Sequence, residues 1–244
     1  MGRIEILPVP VPDEIRAGDD LAAAVVAHGP ALQDGDVVVL AHKAVAKAEG
    51  RVVRLSAVEP SELARMLAGG DGDPRHVEVV LREAREIVRN HGRLLIVETR
   101  HGFVCANAGV DRSNSGEEDA VVLLPEDPDA SAAALRRAVA RQTGRRVGVI
   151  VADTFGRAHR VGIVGVAIGV SGLQPLLDHG GARDPDGYEL HASVVAVADE
   201  LAAAADLVLG KLGRVPAAVV RGYDARADGS ARELVRDRSS DLFR

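Results

Sequence analysis

Apolar residues come in short runs separated by turn residues. Residues 3–9 alternate and predict a strand, and Pro8, Pro10 and Pro12 then impose an extended path. Asp19 to Ala27 reads as a helix. Gly35-Asp36 marks a turn before Val37 to Leu40, a short buried strand that runs straight into Ala41 to Glu49. A helix begins over Pro60 to Leu67, with Ser61 or Ser56 as its cap. After the break at 69–74, Val77, Val80, Leu81, Ala84, Ile87 and Val88 keep helical spacing as far as Asn90. Leu94 to Glu98 predicts a strand, paired as a hairpin with Phe103 to Ala106.

In the second half, Ala120 to Leu124 reads as a strand. Pro125 to Asp129 turns into a helix, with Ser131 near its start and Gly144 at its end. Residues 147–152 form a strand, and Gly162 to Gly169 fall in a glycine-dotted one. Val194 to Leu209 is an alanine-rich helix, Ala217 to Arg221 a late strand, and the chain from Asp224 onward is polar and weakly patterned. Strands and helices mix without regular alternation. The fold class expected is therefore α+β, with mixed or antiparallel sheets and flanking helices. One domain over 1–244, with room for two subdomains, suits this length.

Composition narrows the function. Hydrophobic residues make up 47% and aromatics 2%, so the core must be aliphatic. A net charge of −6 and the lack of aromatics argue against a nucleic-acid binder. A single cysteine, Cys105, excludes an internal disulfide and a cysteine zinc cluster, and it reads as a core residue. With no signal-peptide pattern and no apolar run of about 18 residues, the expected location is the cytoplasm, away from membranes.

The chemistry concentrates in two segments. The strand at 147–152 is followed at once by Asp153 and Thr154, then by Arg157 and Arg160. Residues 106–115 carry Asp111 and Asn114 in a glycine-marked turn. Hard divalent cations take oxygen ligands, and a phosphate-bound ion needs only one or two carboxylates. The two aspartates could share such an ion, or each could simply cap a turn. Lys43 and Lys47 lie four apart and share a helical face. They suit a polyphosphate between them, or a solvated surface. Arg157 and Arg160 suit an anionic substrate or a neighbouring acid. No P-loop is present, so a nucleotide must be held in another way.

Several segments in one order resemble a known family across almost the whole chain. They are E-I-L-P-V at 5–9, G-D-V-V-V-L-A-H-K-A-V-A-K-A-E-G-R at 35–51, N-A-G-V-D-R-S-N at 107–114 and A-D-T-F-G-R-A-H-R-V-G at 152–162. Further on come G-V-A-I-G at 165–169, R-D-P-D-G-Y-E-L at 183–190, V-A-D-E-L-A-A-A-A-D-L-V-L-G-K at 197–211 and V-V-R-G at 219–222. The family is the coenzyme F420:L-glutamate ligases. The chain is similar too to the ligase half of a bacterial two-domain version, without its nitroreductase-like second domain.

The resemblance implies a homodimer that uses GTP and magnesium or manganese, with room for a monovalent cation. It joins L-glutamate to the carboxylate of the deazaflavin coenzyme precursor through an acyl phosphate. By motif, Asp111, Asp153 and Thr154 would bind metal. Pro12, Asp13, Glu14, Ile15, His42, Lys43, Lys47, Asn114, Gly210 and Lys211 would hold the nucleotide. Arg157 and Arg160 would join Asp111 and Asp153 in catalysis, an assignment made from charge.

Five positions depart from the family pattern. His42 and Ala46 stand where serines are usual, Val11 precedes Pro12 in place of leucine, and His159 takes a position that is often aromatic. Lys211 replaces an acid that in some relatives helps hold a second metal. These leave two alternatives beside the ligase: a nucleotide-binding homologue without catalysis, or a ligase for another acid and amino acid.

Overall fold

The computed structural model describes residues 2–91, 94–223 and 227–242. β1 (Glu5–Val9) leads through the proline stretch to α1 (Leu21–His28), whose cap Asp20 accepts from the Ala23 amide at 3.0 Å. β2 (Val37–Ala41) passes directly into α2 (His42–Ala48), and β3 (Val52–Arg54) follows. α3 (Glu62–Ala68) is capped by Ser61, as expected, and α4 (Pro74–Glu83) by Asp73. β4 (Ala84–His91), β5 (Leu94–Thr99) and β6 (Val104–Ala106) form an antiparallel sheet, and β7 (Ala120–Val122) pairs with β3.

α5 (Pro128–Thr143) precedes the long hairpin of β8 (Gly148–Arg157) and β9 (Arg160–Ser171). β10 (Leu177–Asp178) pairs with β11 (Val194–Val195), and α6 (Val197–Leu209) and β12 (Ala217–Arg221) complete the set.

The central sheet has the order β1-β12-β2-β8-β9. Only β2 and β8 run parallel; the other neighbours are antiparallel. This is the expected α+β class with mixed and antiparallel sheets. Both faces are covered, which is why V-V-V-L and V-I-V read as unbroken apolar runs. Val38, Leu40, Val149 and Val151 pack with Leu21 and Val25 of α1 and Val139 of α5. Val37, Val39 and Ile150 pack with Val197, Leu201 and Ala205 of α6. A third cluster gathers Leu55, Val80, Leu95, Val97 and Val121 around the smaller sheets.

Two glycines of β9 let helices approach from opposite sides. A Cβ at Gly169 would lie 2.2 Å from the Pro128 carbonyl of α5, and one at Gly165 would lie 2.7 Å from the Ala202 carbonyl of α6. A bulge in the β8–β9 ladder, where Val151 faces Gly169 but Ala152 faces Ala167, adds the residue that turns the two glycines to different faces.

Three expectations need correction. The helix expected to reach Asn90 stops at Glu83, and residues 84–91 become β4. Their apolar spacing fits a helix, but the ladder with β5 overrides it, through two register shifts. The strand expected at 147–152 continues to Arg157, because β9 supplies a partner along its whole length. Val194–Val195 belong to β11, so α6 begins only at Val197. α5 is capped by Asp127, with Ser131 near its start and Gly144 at its end, as expected. Of the polar tail, residues 224–226 and 243–244 lie outside the described residues; the described part holds two short 3₁₀ turns, at Ala231–Leu234 and Arg238–Ser240. No helix among the described residues is long and apolar enough to cross a membrane.

Candidate functional site

β2 ends at Ala41, opposite Ala152 of β8. Beyond that point Asp153 and Thr154 lose their partner on the β2 side. A cavity of about 480 Å³ opens there, at the carboxyl ends of the two parallel strands, where open sheets commonly bind ligands. Its walls include Val11 and Asp13–Ile15, residues 41–44 and Lys47, Asn114 and Gly116, residues 152–154, and Asp206, residues 209–212 and Arg214 at the end of α6 and beyond.

The first turn of α2 organises the acids. His42 is 3% exposed, and its Nδ1 lies 3.0 Å from Asp153 Oδ1. A carboxylate oxygen accepts, so Nδ1 carries the hydrogen. Its Nε2 is buried without a hydrogen-bond partner among the described residues, so the ring has one polar contact and that contact is Asp153. The next residue, Lys43, reaches Asp111: its Nζ donates to Asp111 Oδ2 at 2.6 Å. Consecutive residues thus hold two carboxylates that are distant in sequence. Burial would raise the Asp111 carboxyl, but the hydrogen bonds from Lys43 and Ser113 overcome it and hold the group below the usual carboxylate range.

The chain reaches Asp111 through a costly turn. Asn107, Ala108 and Gly109 have φ of 50, 56 and 70°. The left-handed region costs an alanine about 1 kcal/mol. Here Ala108 is fully packed, and the Asn107 side chain accepts from the Leu95 amide at 3.1 Å. The turn delivers Asp111 into a backbone bridge with Val122.

The second lysine ties the cavity's two rims together. Lys47 Nζ pairs with Glu14 and donates to the Asn114 carbonyl at 3.1 Å. Gly116 (φ 85°) passes close by: a Cβ there would meet Glu14 Oε1 at 3.0 Å.

Most of the anticipated residues meet here. Asp13, Glu14, Ile15, His42, Lys43, Lys47, Asn114, Asp153, Thr154, Gly210 and Lys211 all line the cavity. Asp111 joins through Lys43, and Pro12 sits behind the rim with its carbonyl accepting from Arg214 at 3.2 Å. Arg157 and Arg160 are not brought in. They face each other across the exposed hairpin tip, because β8 runs on past Thr154 and carries them away from the lining. Asp206, Arg214 and Ser113 were not singled out from the sequence. Only the proximity of Asp206 to Gly210-Lys211 could have pointed to one of them.

The donor set suits a hard divalent cation. The ligating groups around Asp111 and Asp153 are carboxylates and hydroxyls, the one imidazole is turned onto a carboxylate, and the Lys43 ammonium occupies Asp111 Oδ2. Among the described residues no three or more His, Cys, Asp or Glu side chains cluster as a self-sufficient metal cage. An ion here would take its remaining ligands from a phosphate and water. Strand alternation sends Asp153 and Thr154 to opposite faces, so any joint action is across the free strand edge.

Residues 11–222 match the family described as F420-0:Gamma-glutamyl ligase. The chain is 48% identical over 248 residues to a protein of Methanopyrus kandleri named coenzyme F420:L-glutamate ligase, with 99% of this chain and 98% of that one covered. Proteins of the same name from Methanothermobacter thermautotrophicus and Archaeoglobus fulgidus are 46% and 43% identical, covering 94% and 99% of this chain and 94% and 97% of their own. Together with the α+β fold, these likenesses define an amide-forming ligase. The chain belongs to the F420-0:gamma-glutamyl ligase family, as its motifs suggested.

Proposed function

We propose that this chain joins L-glutamate to the carboxylate of the coenzyme F420 precursor, with GTP as co-substrate and magnesium or manganese as the metal. The observation that carries this reading is the pairing of His42 with Asp153 and of Lys43 with Asp111 at the edge of a cavity that also holds Lys47. The names of its full-length relatives supply the substrate pair.

The reaction is phosphoryl transfer followed by acyl transfer. The terminal phosphoryl group of GTP passes to the precursor carboxylate and releases GDP, and the glutamate amine attacks the acyl phosphate, loses a proton and expels phosphate. Such chemistry needs positioning and charge neutralisation rather than a protein nucleophile. Asp111 and Asp153, with Thr154 beside them, would hold a divalent cation, which would supply neutralisation of the triphosphate. Lys43 and Lys47 add positive charge on the same side. Asp13 to Ile15, Asn114 and Gly210-Lys211 enclose the nucleotide, and His42 keeps Asp153 oriented.

We place the enzyme in the cytoplasm, working as a homodimer. Leu207, 83% exposed near the end of α6, gives that association an apolar contact, and sedimentation velocity tests it.

Mass spectrometry of precursor, glutamate and each nucleotide is the test. The expected result is a mass gain of one or more glutamates that requires GTP and metal, with phosphate release only when all components are present. Asp153→Asn abolishes it. Nucleotide binding without turnover under any mixture would overturn the reading in favour of a non-catalytic homologue. Turnover with another acid or amino acid alone would replace the substrates.

A further inference from the structure

Lys43 spends all three of its donors on one loop. Its Nζ donates to Asp111 Oδ2 at 2.6 Å, to Ser113 Oγ at 2.6 Å and to the Ser113 carbonyl at 3.1 Å. An ammonium has three hydrogens, so none is left for a phosphate. Asp111 is nearly saturated as well. Oδ1 accepts from the Ser113 amide at 2.8 Å, and Oδ2 accepts from the Ser113 hydroxyl at 3.0 Å in addition to Lys43. A carboxylate offers about four lone-pair positions, so one remains. A dication there would sit within a few ångströms of a half-buried ammonium, where like charges repel strongly.

Two demands therefore meet in one side chain. For Asp111 to bind a divalent cation, Lys43 must leave it. For Lys43 to bind a phosphate, it must leave Asp111. We propose that Lys43 and the divalent cation are alternative partners of Asp111, and that the lysine exchanges the carboxylate for the triphosphate as the metal arrives. Lys43 then acts as a built-in counter-ion that makes metal and nucleotide bind as a pair. This inference rests on the proposed metal and nucleotide reading and adds the order and coupling of the two.

The exchange predicts opposite effects of one substitution. Lys43→Met removes the competitor for Asp111 and should tighten binding of Mn²⁺ alone roughly tenfold, the scale of a charge-assisted hydrogen bond. The same variant should bind GTP in the presence of Mn²⁺ more weakly than the wild type, because the phosphate loses its cation. Adding Asp111→Asn should erase the gain for Mn²⁺ alone.

The experiment titrates Mn²⁺ by electron paramagnetic resonance of the free ion, with and without GTP. It compares the wild type, Lys43→Met, Asp111→Asn and the double variant. Lys43→Gln stands in should thermal unfolding show the methionine variant to be misfolded. If the wild type binds Mn²⁺ and GTP together but the Lys43 variant binds Mn²⁺ alone no more tightly than the wild type, the exchange is wrong and the functional reading stands. If the wild type takes up neither, the functional reading fails and this inference fails with it.

Discussion

Asp153 Oδ1 accepts a hydrogen bond from His42 Nδ1 at 3.0 Å, within a site edge where the imidazole is buried and touches no other polar group described. The contact fixes which way the carboxylate faces. A partner behind a metal ligand commonly changes metal affinity or activity by roughly 10- to 100-fold when removed. His42→Ala should therefore raise the Mn²⁺ concentration giving half-maximal turnover by about tenfold, with a smaller change in KM for glutamate. His42→Asn, whose amide N–H occupies nearly the place of Nδ1, should recover most of the loss. Metal titrations of initial rate distinguish this from simple damage: if alanine and asparagine behave alike, the hydrogen bond is not the cause.

Lys47 spans the cavity rim, from Glu14 on one side to the Asn114 carbonyl on the other. Replacing it by methionine keeps the stem and removes the charge. The expected result is about a tenfold loss of GTP affinity, as for a charge-assisted contact to phosphate, with KM for glutamate little changed. Calorimetric titration of GTP in the presence of Mn²⁺ reads this. Equal affinities for variant and wild type would make Lys47 a strut between two loops and nothing more.

Much of this site was legible because its parts are local. A buried strand running into H-K-A-V-A-K places two cations on one helical face, and A-N-A-G-V-D-R-S-N announces a turn that presents an acid. The links between parts were not legible. Lys43 and Asp111 are 68 positions apart, and only the folded sheet brings them together. Residues 84–91 misled for another reason: their apolar spacing satisfies a helix, and the choice of strand is made by pairing with β5, which begins only three residues after β4 ends. Arg157 and Arg160 were anticipated near the aspartates because the strand was expected to stop at residue 152. Its continuation by five residues carries them to a hairpin tip.

Cys105 lies buried in β6, and burial, the nearby Asp153 carboxylate adding to it, pushes its thiol up to about 12. Well below pH 9 the thiol is neutral in both folded and unfolded chains and contributes no pH dependence. Above that, the unfolded chain ionises and the folded one does not, so stability falls as pH rises towards 12. The slope is on the order of 1 kcal/mol per pH unit. The wild type should lose stability relative to Cys105→Ala over this window, measured by urea unfolding at a series of pH values. Native protein should also leave Ellman's reagent unreacted at pH 8 until urea exposes the thiol. Rapid native reaction would show the group to be accessible and ionised.

Arg221, at the end of β12, clamps Asp36 just before β2 with two hydrogen bonds, Nε to Oδ1 at 2.9 Å and Nη2 to Oδ2 at 2.8 Å. The carboxylate is only 2% exposed and accepts from the Gln33 amide as well, three hydrogen bonds in all. Its partner is 22% exposed, which leaves the arginine some access to water if the acid is removed. Breaking a buried pair usually costs more than an exposed one, because the remaining charge is stranded. Asp36→Asn should destabilise the fold by about 2 kcal/mol, below the full penalty for a wholly buried pair because water can reach the guanidinium. The urea midpoint should drop with the m-value unchanged, since the amount of surface exposed on unfolding stays the same. The pair lies at the opposite end of β2 from the cavity, so Mn²⁺ and GTP affinities of the folded variant should match the wild type. A matching loss of ligand affinity would mean that the clamp sets the geometry of the β2–α2 junction as well as holding the sheet.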